Sequence, residues 1–466
     1  MQQPKLKVII IGGSIAGLTL ARCLELADID YIVLEKHQDI RASIGGSVGL
    51  LPNGCRILDQ LGIYDQVEAV ACAVKISHMT YPDGFILDDD FPAGIRKRKV
   101  LDRFQFQLLG VLYGVLQNHD TVKTGQKVVE VITGHAKVSV LTESGEQYHG
   151  NVVIGADGVH SVTRSQMWRT ANLSQPGRVT DKETQGLVTA RPAVSIEYSC
   201  ILGISSPVDG ITPGQQIIAC HDDTTVLVFP GQDGHIGWGL IQKLSNRYTY
   251  PHAPRLSHDD VLAMGTAACN LRVYRNITFK DLWIRTPEYG STLLEEGLLQ
   301  TWHHGRIVCV GDSVSKMTPN IAQGANTAIE GAASLANALR LISLIHDPSE
   351  SEISSHLEEY AQRQHKRLRL IHAVSYSATR VHTRRGWVKK AMGRYVYPYT
   401  PGASLRTFSG IIAGAPCLDY LPLPRRCRDG WARQSFSGIS SMSVLWSVLI
   451  VLAAAAISLA LWTWWR

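Results

Sequence analysis

The sequence predicts an α/β protein: a Rossmann-like, doubly wound nucleotide-binding domain with an inserted antiparallel β-sheet domain, C-terminal helices and a transmembrane tail. Three observations carry this prediction: a strand–helix–strand unit broken by glycines at the N-terminus, a β-branched and turn-rich middle, and a long uncharged apolar stretch at the C-terminus. The chain has 466 residues, 45% hydrophobic and 18% charged, which supports a large core and excludes an intrinsically disordered protein. Lys and Arg number 46 against 40 Asp and Glu, and the charges are spread along the chain. The longest basic run, Arg96-Lys97-Arg98-Lys99, reads as a solvated turn, so no nucleic-acid partner is expected. Nine cysteines, odd in number and without a C-x-x-C pair, fit neither a disulfide framework nor a zinc site; no metal is expected and a reducing compartment is.

Taking the elements in order, Val8–Ile11 is the continuous apolar run of a strand buried on both faces. Gly12 and Gly13 break it, Ser14–Ala27 reads as helix, and Tyr31–Leu34 as a second apolar strand. Residues 48–70 read as a loop and helix, Phe104–Gln117 as a long amphipathic helix, and Val128–Val140 and Asn151–Ile154 as strands. From about 170 to 285, β-branched residues alternate with turn signals such as Pro207-Val208-Asp209-Gly210 and Pro230-Gly231-Gln232-Asp233-Gly234, as in an antiparallel sheet. Arg306–Ile342 reads as a second strand–loop–helix that returns to the first domain, and 351–395 as a polar, then basic, helical region. The expected organisation is 1–170 and 291–345 for the nucleotide-binding domain, 171–290 for the sheet domain, 346–435 for C-terminal helices and linker, and 443–465 for a membrane helix.

Val444–Leu461 contains 18 residues, none charged and only Ser447 and Ser458 polar. With the residues to Trp465 it is long enough, at about 1.5 Å per residue, to cross about 30 Å of hydrocarbon. Trp446 lies near one end and Trp462, Trp464 and Trp465 at the other, in the manner of interfacial belts. Arg425, Arg426, Arg428 and Arg433 precede the segment, which by the positive-inside rule keeps the body in the cytosol, anchored to a membrane such as the endoplasmic reticulum. The alternative is a buried C-terminal helix. At the N-terminus, Val8–Ile11 is too short for a signal peptide.

Gly12-Gly13-Ser14-Ile15-Ala16-Gly17 occupies the place of a G-x-G-x-x-G fingerprint. Glycines here permit the tight turn, the close approach of backbone to a pyrophosphate, and close helix–strand packing. The helix that starts there offers free N–H groups and the positive end of its dipole to phosphates. Glu35 ends the second strand, where a carboxylate can accept hydrogen bonds from ribose hydroxyls. Ser14 departs from the pattern by replacing the second glycine, and its hydroxyl can reach a phosphate oxygen.

Two further segments narrow the nucleotide. Gly155-Ala156-Asp157-Gly158-Val159-His160-Ser161-Val162-Thr163-Arg164 resembles the DG motif of flavin-dependent monooxygenases of the aromatic-hydroxylase type. Arg306–Ala325, with Val310-Gly311-Asp312, Pro319 and Gln323-Gly324-Ala325-Asn326, resembles the GD motif of the same family. Leu50-Leu51-Pro52-Asn53-Gly54, Ile57–Gly62, Gly203-Ile204-Ser205 and the apolar tail resemble the fungal subgroup that epoxidises prenyl chains, the paxilline-pathway and meroterpenoid epoxidase type. The resemblance implies FAD as cofactor, with NADPH or NADH as a transient co-substrate. Glu35 would bind the adenosine ribose, and Gly49 would contact the cofactor. Arg103, at the head of its helix, would reach the flavin-side phosphate or ribityl region. Asp312 would bind the ribityl chain, Gly324 and Ala325 would donate backbone N–H groups to the flavin's pyrimidine edge, and Asp157 would lie in a segment serving both nucleotides. Asp157 and Asp312 also read as turn or cap aspartates, and Arg103 as a surface residue. Ser313-Val314-Ser315 replaces the family's usual Ala-His, and Ala322 its usual glycine.

The resemblance implies a reaction in which dioxygen, activated at the reduced cofactor, delivers an oxygen atom to an alkene of a hydrophobic prenylated substrate, giving an epoxide. Hydroxylation of an aromatic or polyketide ring is the alternative. Several relatives use a tyrosine in the substrate sheet; Cys220-His221 occupies the corresponding strand, and Tyr198 is the candidate in its stead, either catalytic or a pocket-wall aromatic.

Overall fold

The computed structural model describes residues 6–40, 48–90, 92, 108–134, 137–180, 194–249, 252–400 and 402–424, and the backbone of 103–105. The N-terminal run is a strand, β1 (Lys7–Ile11), whose Val8, Ile9 and Ile10 are wholly buried, as a strand covered on both faces requires. Helix α1 (Ile15–Leu26) crosses over to β2 (Asp30–Leu34), which pairs parallel with β1 from Lys7↔Asp30 to Ile11↔Leu34. The sheet continues parallel to β7 (Val122–Lys123) on one side, and to β11 (Val152–Gly155) and β20 (Ile307–Cys309) on the other. Antiparallel β19 (His303–His304) closes its edge, giving the order β19-β20-β11-β1-β2-β7. An antiparallel meander of β8 (Val128–Thr133), β9 (Val138–Thr142) and β10 (Gln147–Gly150) bridges β7 to β11.

The second sheet has eight strands: β21 (Ser315–Lys316), β18 (Tyr289–Leu298), β12 (Val194–Ser205), β15 (Ile236–Thr249), β14 (Thr224–Pro230), β13 (Gln215–His221), β4 (Ile76–Thr80) and β5 (Ile86–Asp89), in that order. All pairs are antiparallel except β13 with β4. Strand alternation sorts its side chains into two apolar faces. Ile217, Ala219, Val226, Val228, Trp238 and Leu240 join Phe279 and Leu282 of α7 (Phe279–Trp283) and Val261 of α6 (His258–Ala267) on the outer face. A short ribbon of β16 (Arg272–Tyr274) and β17 (Ile277–Thr278) lies between these helices. Met79, Tyr198, Cys200, Ile218, Cys220, Leu227 and Ile241 form the inner face.

Helix α2 (Pro52–Gln60), with Pro52 in its first turn, follows β3 (Val48–Leu50), which pairs antiparallel with β6 (Arg103–Gln105); α3 (Tyr64–Val70) comes next. Three helices organise the remainder. α5 (Val162–Ser174) follows the first sheet's β11, and α8 (Gly324–Ser343) packs on α1 through a run of small residues that includes Ala328, Ala332 and Ala336. α9 (Glu350–His382) starts at a capping box of Ser349 and Glu352 and spans both sheets' margins. Helices α10 (Gly386–Ala391) and α11 (Ala403–Ala413) follow it.

The structure corrects the sequence reading in several places. The expected helix over 104–117 is shorter: 103–105 is strand, so Arg103 does not head a helix, and α4 spans Leu108–Gly114 with Leu108 and Leu112 on the core. The single strand expected from Val128 to Val140 is two, because the chain turns at Gly134, where Gly134 N–H bonds Lys137 O. The inserted sheet also draws strands from outside 171–290, at 76–89 before it and 291–298 and 315–316 after it. Among the described residues no helix is long and apolar enough to cross a membrane. The tail at 443–465 lies outside the described residues.

Candidate functional site

The three glycines of the fingerprint each have a separate steric reason. Gly12 has φ +106°, and a Cβ there would lie 2.4 Å from Ala156 O at the end of β11. A Cβ on Gly17 would meet Gly12 O at 1.9 Å, so α1 could not begin so close to β1. A Cβ on Gly13 would lie 3.1 Å from Cβ of Glu35. Gly13 N–H instead donates to Glu35 Oε2 at 2.7 Å, and His37 N–H donates to Oε1 at 2.9 Å. Glu35 is thus fixed against the loop while each carboxylate oxygen keeps a lone pair free. Ser14 is the N-cap of α1, is exposed, and its hydroxyl makes no capping bond. The first turn of α1 therefore has N–H groups that its N-cap side chain does not satisfy.

The DG and GD segments meet. Asp157 turns inward: its carboxylate accepts from Ser161 Oγ at 2.5 Å and from Thr163 N–H and Oγ1 at 3.0 Å each, which holds the start of α5. The N-cap itself is Ser161, whose side chain accepts Arg164 N–H. Arg164, buried, donates to Ser313 O at 2.5 Å and to Val159 O at 2.8 Å, tying the two motifs together. The Ser313 hydroxyl lies 2.8 Å from both Gly155 O and Val310 O, so a serine in the place of the family's alanine adds a link between β11 and the GD turn. Ser315, where a histidine is usual, faces His372 Nε2 of α9 at 2.9 Å. Asp312, about two-fifths exposed, pairs with Lys316. Burial alone would lower the Lys316 ammonium, but the Asp312 carboxylate outweighs it and holds Lys316 above the ordinary lysine value.

A second loop is organised by residues to which the sequence analysis gave no role. Asn326, wholly buried, donates from Nδ2 to Gly49 O at 2.8 Å and to Ala322 O at 2.6 Å, and accepts from Leu51 N–H at 2.9 Å. It clamps β3, and with it Gly49, to the head of α8. Asn53 Nδ2 donates to Gln323 Oε1 at 2.9 Å and to Glu330 Oε1 at 2.6 Å, and Arg367 of α9 closes on Glu330 at 2.5 and 2.7 Å. The signal for this network was a glutamate at 330 on an otherwise small and apolar helix. Ala322 sits at φ +51°, the left-handed region, which explains why glycine is usual there and puts about 1–2 kcal/mol of strain in this turn. Gly324 and Ala325 begin α8 ahead of its first internal bond, Thr327 N–H to Gln323 O, with no side-chain cap. No atom lies within 4 Å of where a Cβ on Gly324 would be, so this side of the helix start is open.

Tyr198 lies on the inner face of the second sheet, wholly buried, its hydroxyl 3.4 Å from Thr383 Oγ1 and its ring 5.0 Å below the Arg380 guanidinium. Burial raises its phenol above the ordinary value, in spite of Thr383 and Arg380. It packs in the buried cluster of the sheet's inner face. Cys220, in the strand expected to carry a tyrosine, has its thiol pushed up to about 12 by burial and is not a nucleophile. Arg380 at the margin is neutralised by Glu296 at 2.7 Å and Glu197 at 3.2 Å. Helix α9 connects this face to the GD loop: Thr379 donates to Asn320 Oδ1 at 3.0 Å, His382 Nδ1 lies 3.2 Å from Asn320 Nδ2, and Thr383 meets Tyr198 one residue on. Burial drives His382 down to about 4, and His372 likewise with help from His365, so both are neutral near pH 7.

These features fit a flavin adenine dinucleotide: a glycine cradle that no Cβ could share, a half-satisfied carboxylate, an uncapped helix start at α1 for phosphates, and a second, open one at α8 for a polar ring edge. The side chain of Arg103, on β6 opposite Leu50, lies outside the described atoms. The fold and site define an FAD-binding α/β oxidoreductase.

A family model described as FAD binding domain matches residues 5–199 and 275–371. FAD-dependent monooxygenase sdgC of Emericella nidulans is 52% identical, over 97% of this chain and 96% of its own. FAD-dependent monooxygenase ctvC of Aspergillus terreus is 42% identical over 92% and 90%, and penE of Penicillium thymicola 39% over 100% and 98%. Among solved structures, Klebsiella pneumoniae HpxO complexed with FAD and uric acid shares the fold with TM-score 0.71 at 19% identity, covering 88% of this chain and 97% of that one. A salicylate hydroxylase substrate complex does so with TM-score 0.64 at 20% identity, over 87% and 98%. The chain belongs to the family of FAD-dependent monooxygenases.

Proposed function

We propose that this monooxygenase uses NADPH or NADH and dioxygen to epoxidise the terminal alkene region of a farnesylated or geranylgeranylated intermediate in fungal meroterpenoid or indole-diterpene biosynthesis. The observation that carries this reading is the apolar character of the second sheet's inner face, where Met79, Cys200, Ile218, Cys220, Leu227 and Ile241 form a buried cluster. An alkene needs no protein base or nucleophile, only a dry apolar wall that places its π bond and keeps water from the reacting centre. Bound FAD supplies the redox chemistry and the activated oxygen. The chain's part is to fix the ribose at Glu35, to receive phosphate at the α1 N-terminus, and to offer Gly324 and Ala325 N–H groups to negative charge on the ring.

A flavin hydroxylase of an aromatic or polyketide ring is the second reading; it would use the same cofactor site. The test is NADPH oxidation by the purified holoenzyme with a prenylated aromatic acceptor under oxygen-18-labelled dioxygen. A labelled epoxide is the expected product. A labelled phenol favours the ring hydroxylase, and oxidation without label in any product overturns both. We further propose that residues 443–465 anchor the chain in the endoplasmic reticulum membrane with the body in the cytosol, which suits a poorly soluble substrate; release of the intact chain by alkaline carbonate would refute this.

A further inference from the structure

The chain's charge is divided far more sharply than its total indicates. No acidic residue occurs between Glu359 and Asp419, a stretch that carries eleven Lys and Arg. Residues 360–466 hold 16 basic against two acidic residues, a net +14, while residues 1–359 hold 30 against 38, a net −8. Part of this basic region folds into a short helical path, from α10 through the turns at Met392–Val396 and Tyr397–Tyr399 to α11.

That path has two unlike sides. Inward, Tyr397 packs on the inner face of the second sheet and its hydroxyl meets Ser404, whose own hydroxyl donates to Asp89, while Tyr81 donates to Gly393 O at 2.6 Å. Outward, Trp387 is 81% exposed, Tyr399 70%, Tyr395 64% and Val388 47%. Trp387 and Tyr395 are about two helical turns apart, so they project to one side. Arg384, Arg385, Lys389, Lys390 and Arg394 are interleaved with them. The facing acids are Asp222, which takes Arg384 and Lys390 at 2.7 Å each, Asp83, which takes Arg394 at 2.8 Å, and Asp223, 3.7 Å from Arg385. Five cations against three carboxylates leave the patch positive, with Lys389 Nζ bonded only to the Ser377 hydroxyl among the described contacts. Exposed Trp and Tyr, amphipathic rings that settle at headgroup depth, set among cations, form the surface chemistry of an interfacial membrane contact.

We infer that Trp387, Val388, Tyr395 and Tyr399, with Lys389 and its basic neighbours, dock on a membrane surface bearing anionic phospholipid. The inference goes beyond the tail anchor and does not need it: a tail alone would tether the body without choosing which face meets the lipid. Docking here would set the lipid against the outer side of the segment whose inner side, through Tyr397, covers the apolar face proposed for the substrate.

The test uses the full-length holoenzyme and hydroxyl-radical footprinting read by mass spectrometry, on phosphatidylcholine vesicles with and without about 30% phosphatidylserine. Oxidation of Trp387, Tyr395 and Tyr399 is expected to fall at least about threefold on the anionic vesicles relative to the neutral ones, and to recover in high salt. Leu173, 74% exposed on α5, serves as the unaffected reference. Lys389→Glu and Trp387→Ser should keep the yellow flavin absorbance and lose the anionic-lipid protection. Equal oxidation on both vesicles overturns the inference, as does protection without vesicles that grows with protein concentration, which would make a second copy the occupant. Binding to neutral vesicles reports on the tail separately, so the two readings fail independently.

Discussion

Glu35→Gln is the sharpest probe of the nucleotide site, because it changes charge and hydrogen-bonding capacity and leaves shape intact. The carboxylate accepts Gly13 N–H at one oxygen and His37 N–H at the other, 2.7 and 2.9 Å away. A glutamine has one oxygen. Whichever way its amide is turned, its NH2 group confronts one of those two N–H donors and leaves it without an acceptor in a buried setting, a cost of about 1–3 kcal/mol. The same turn removes one of the two lone-pair directions left for ribose hydroxyls. Losing a hydrogen bond to a charged acceptor costs about 1.5–3 kcal/mol, so FAD affinity should weaken about 10- to 100-fold. Apoenzyme prepared from wild type and variant, titrated with FAD and followed by quenching of flavin fluorescence, measures the affinity; thermal melting without FAD measures the first term separately. A variant that binds FAD within about threefold of wild type would refute the role given to Glu35.

Asn326→Ala removes three bonds at a wholly buried position and strands Leu51 N–H and Gly49 O, so stability should fall by about 2–5 kcal/mol; a urea midpoint unchanged from wild type would show that β3 is not clamped from α8. Tyr198→Phe removes a hydroxyl whose one described partner is 3.4 Å away; turnover measured as product formed should stay within about twofold, and a loss beyond about 100-fold would make Tyr198 a catalytic residue after all. Acid should destabilise the fold in a defined window. Burial holds His303, His372 and His382 at about 4, below their unfolded values near 6.5, so their neutral forms cost nothing above pH 6.5. Between pH 6.5 and 4 the unfolded chain takes up protons that the folded one refuses, and stability is lost by up to about 1.4 kcal/mol per pH unit for each histidine. Urea midpoints at pH 7.5 and 5 measure this, and equal midpoints would refute it.

The first domain was legible in the sequence because its signals are local. A buried parallel strand is a continuous apolar run, and Gly12, Gly13 and Gly17 are demanded by contacts within thirty residues of them or with the facing β11 turn. The strands at 76–89 were not legible as part of the second sheet, since only tertiary pairing of Ile76–Thr80 with Gln215–Ala219 places them there. The 103–105 segment is also set by its distant partner: apolar periodicity continued into it from α4, but pairing with Val48–Leu50 claimed its backbone. At the site, Glu35, Gly324 and Ala325 could be proposed from motif position alone. Asn326, Glu330 and Arg367 could not, because their bonds join positions up to 277 residues apart. Asp157 shows another limit: its motif drew attention to a ligand role, and only the structure shows that its carboxylate also bonds Ser161 and Thr163 at the start of α5.

The link from Arg164 to Ser313 spans 149 residues of chain, and five of the second sheet's eight strands lie between its ends. This sets an order on biosynthesis. When β11 leaves the ribosome, its neighbour β20 has yet to be made, and at about 5–20 residues per second the 152 residues from Ala156 to Ile307 take about 8–30 s. Throughout that interval β11 presents an unpaired, wholly apolar edge to the surroundings. The nascent chain is therefore most exposed to wrong strand pairing while its insert is being translated, and expression hosts that slow translation across 160–300 should yield more aggregated protein than those that slow it elsewhere.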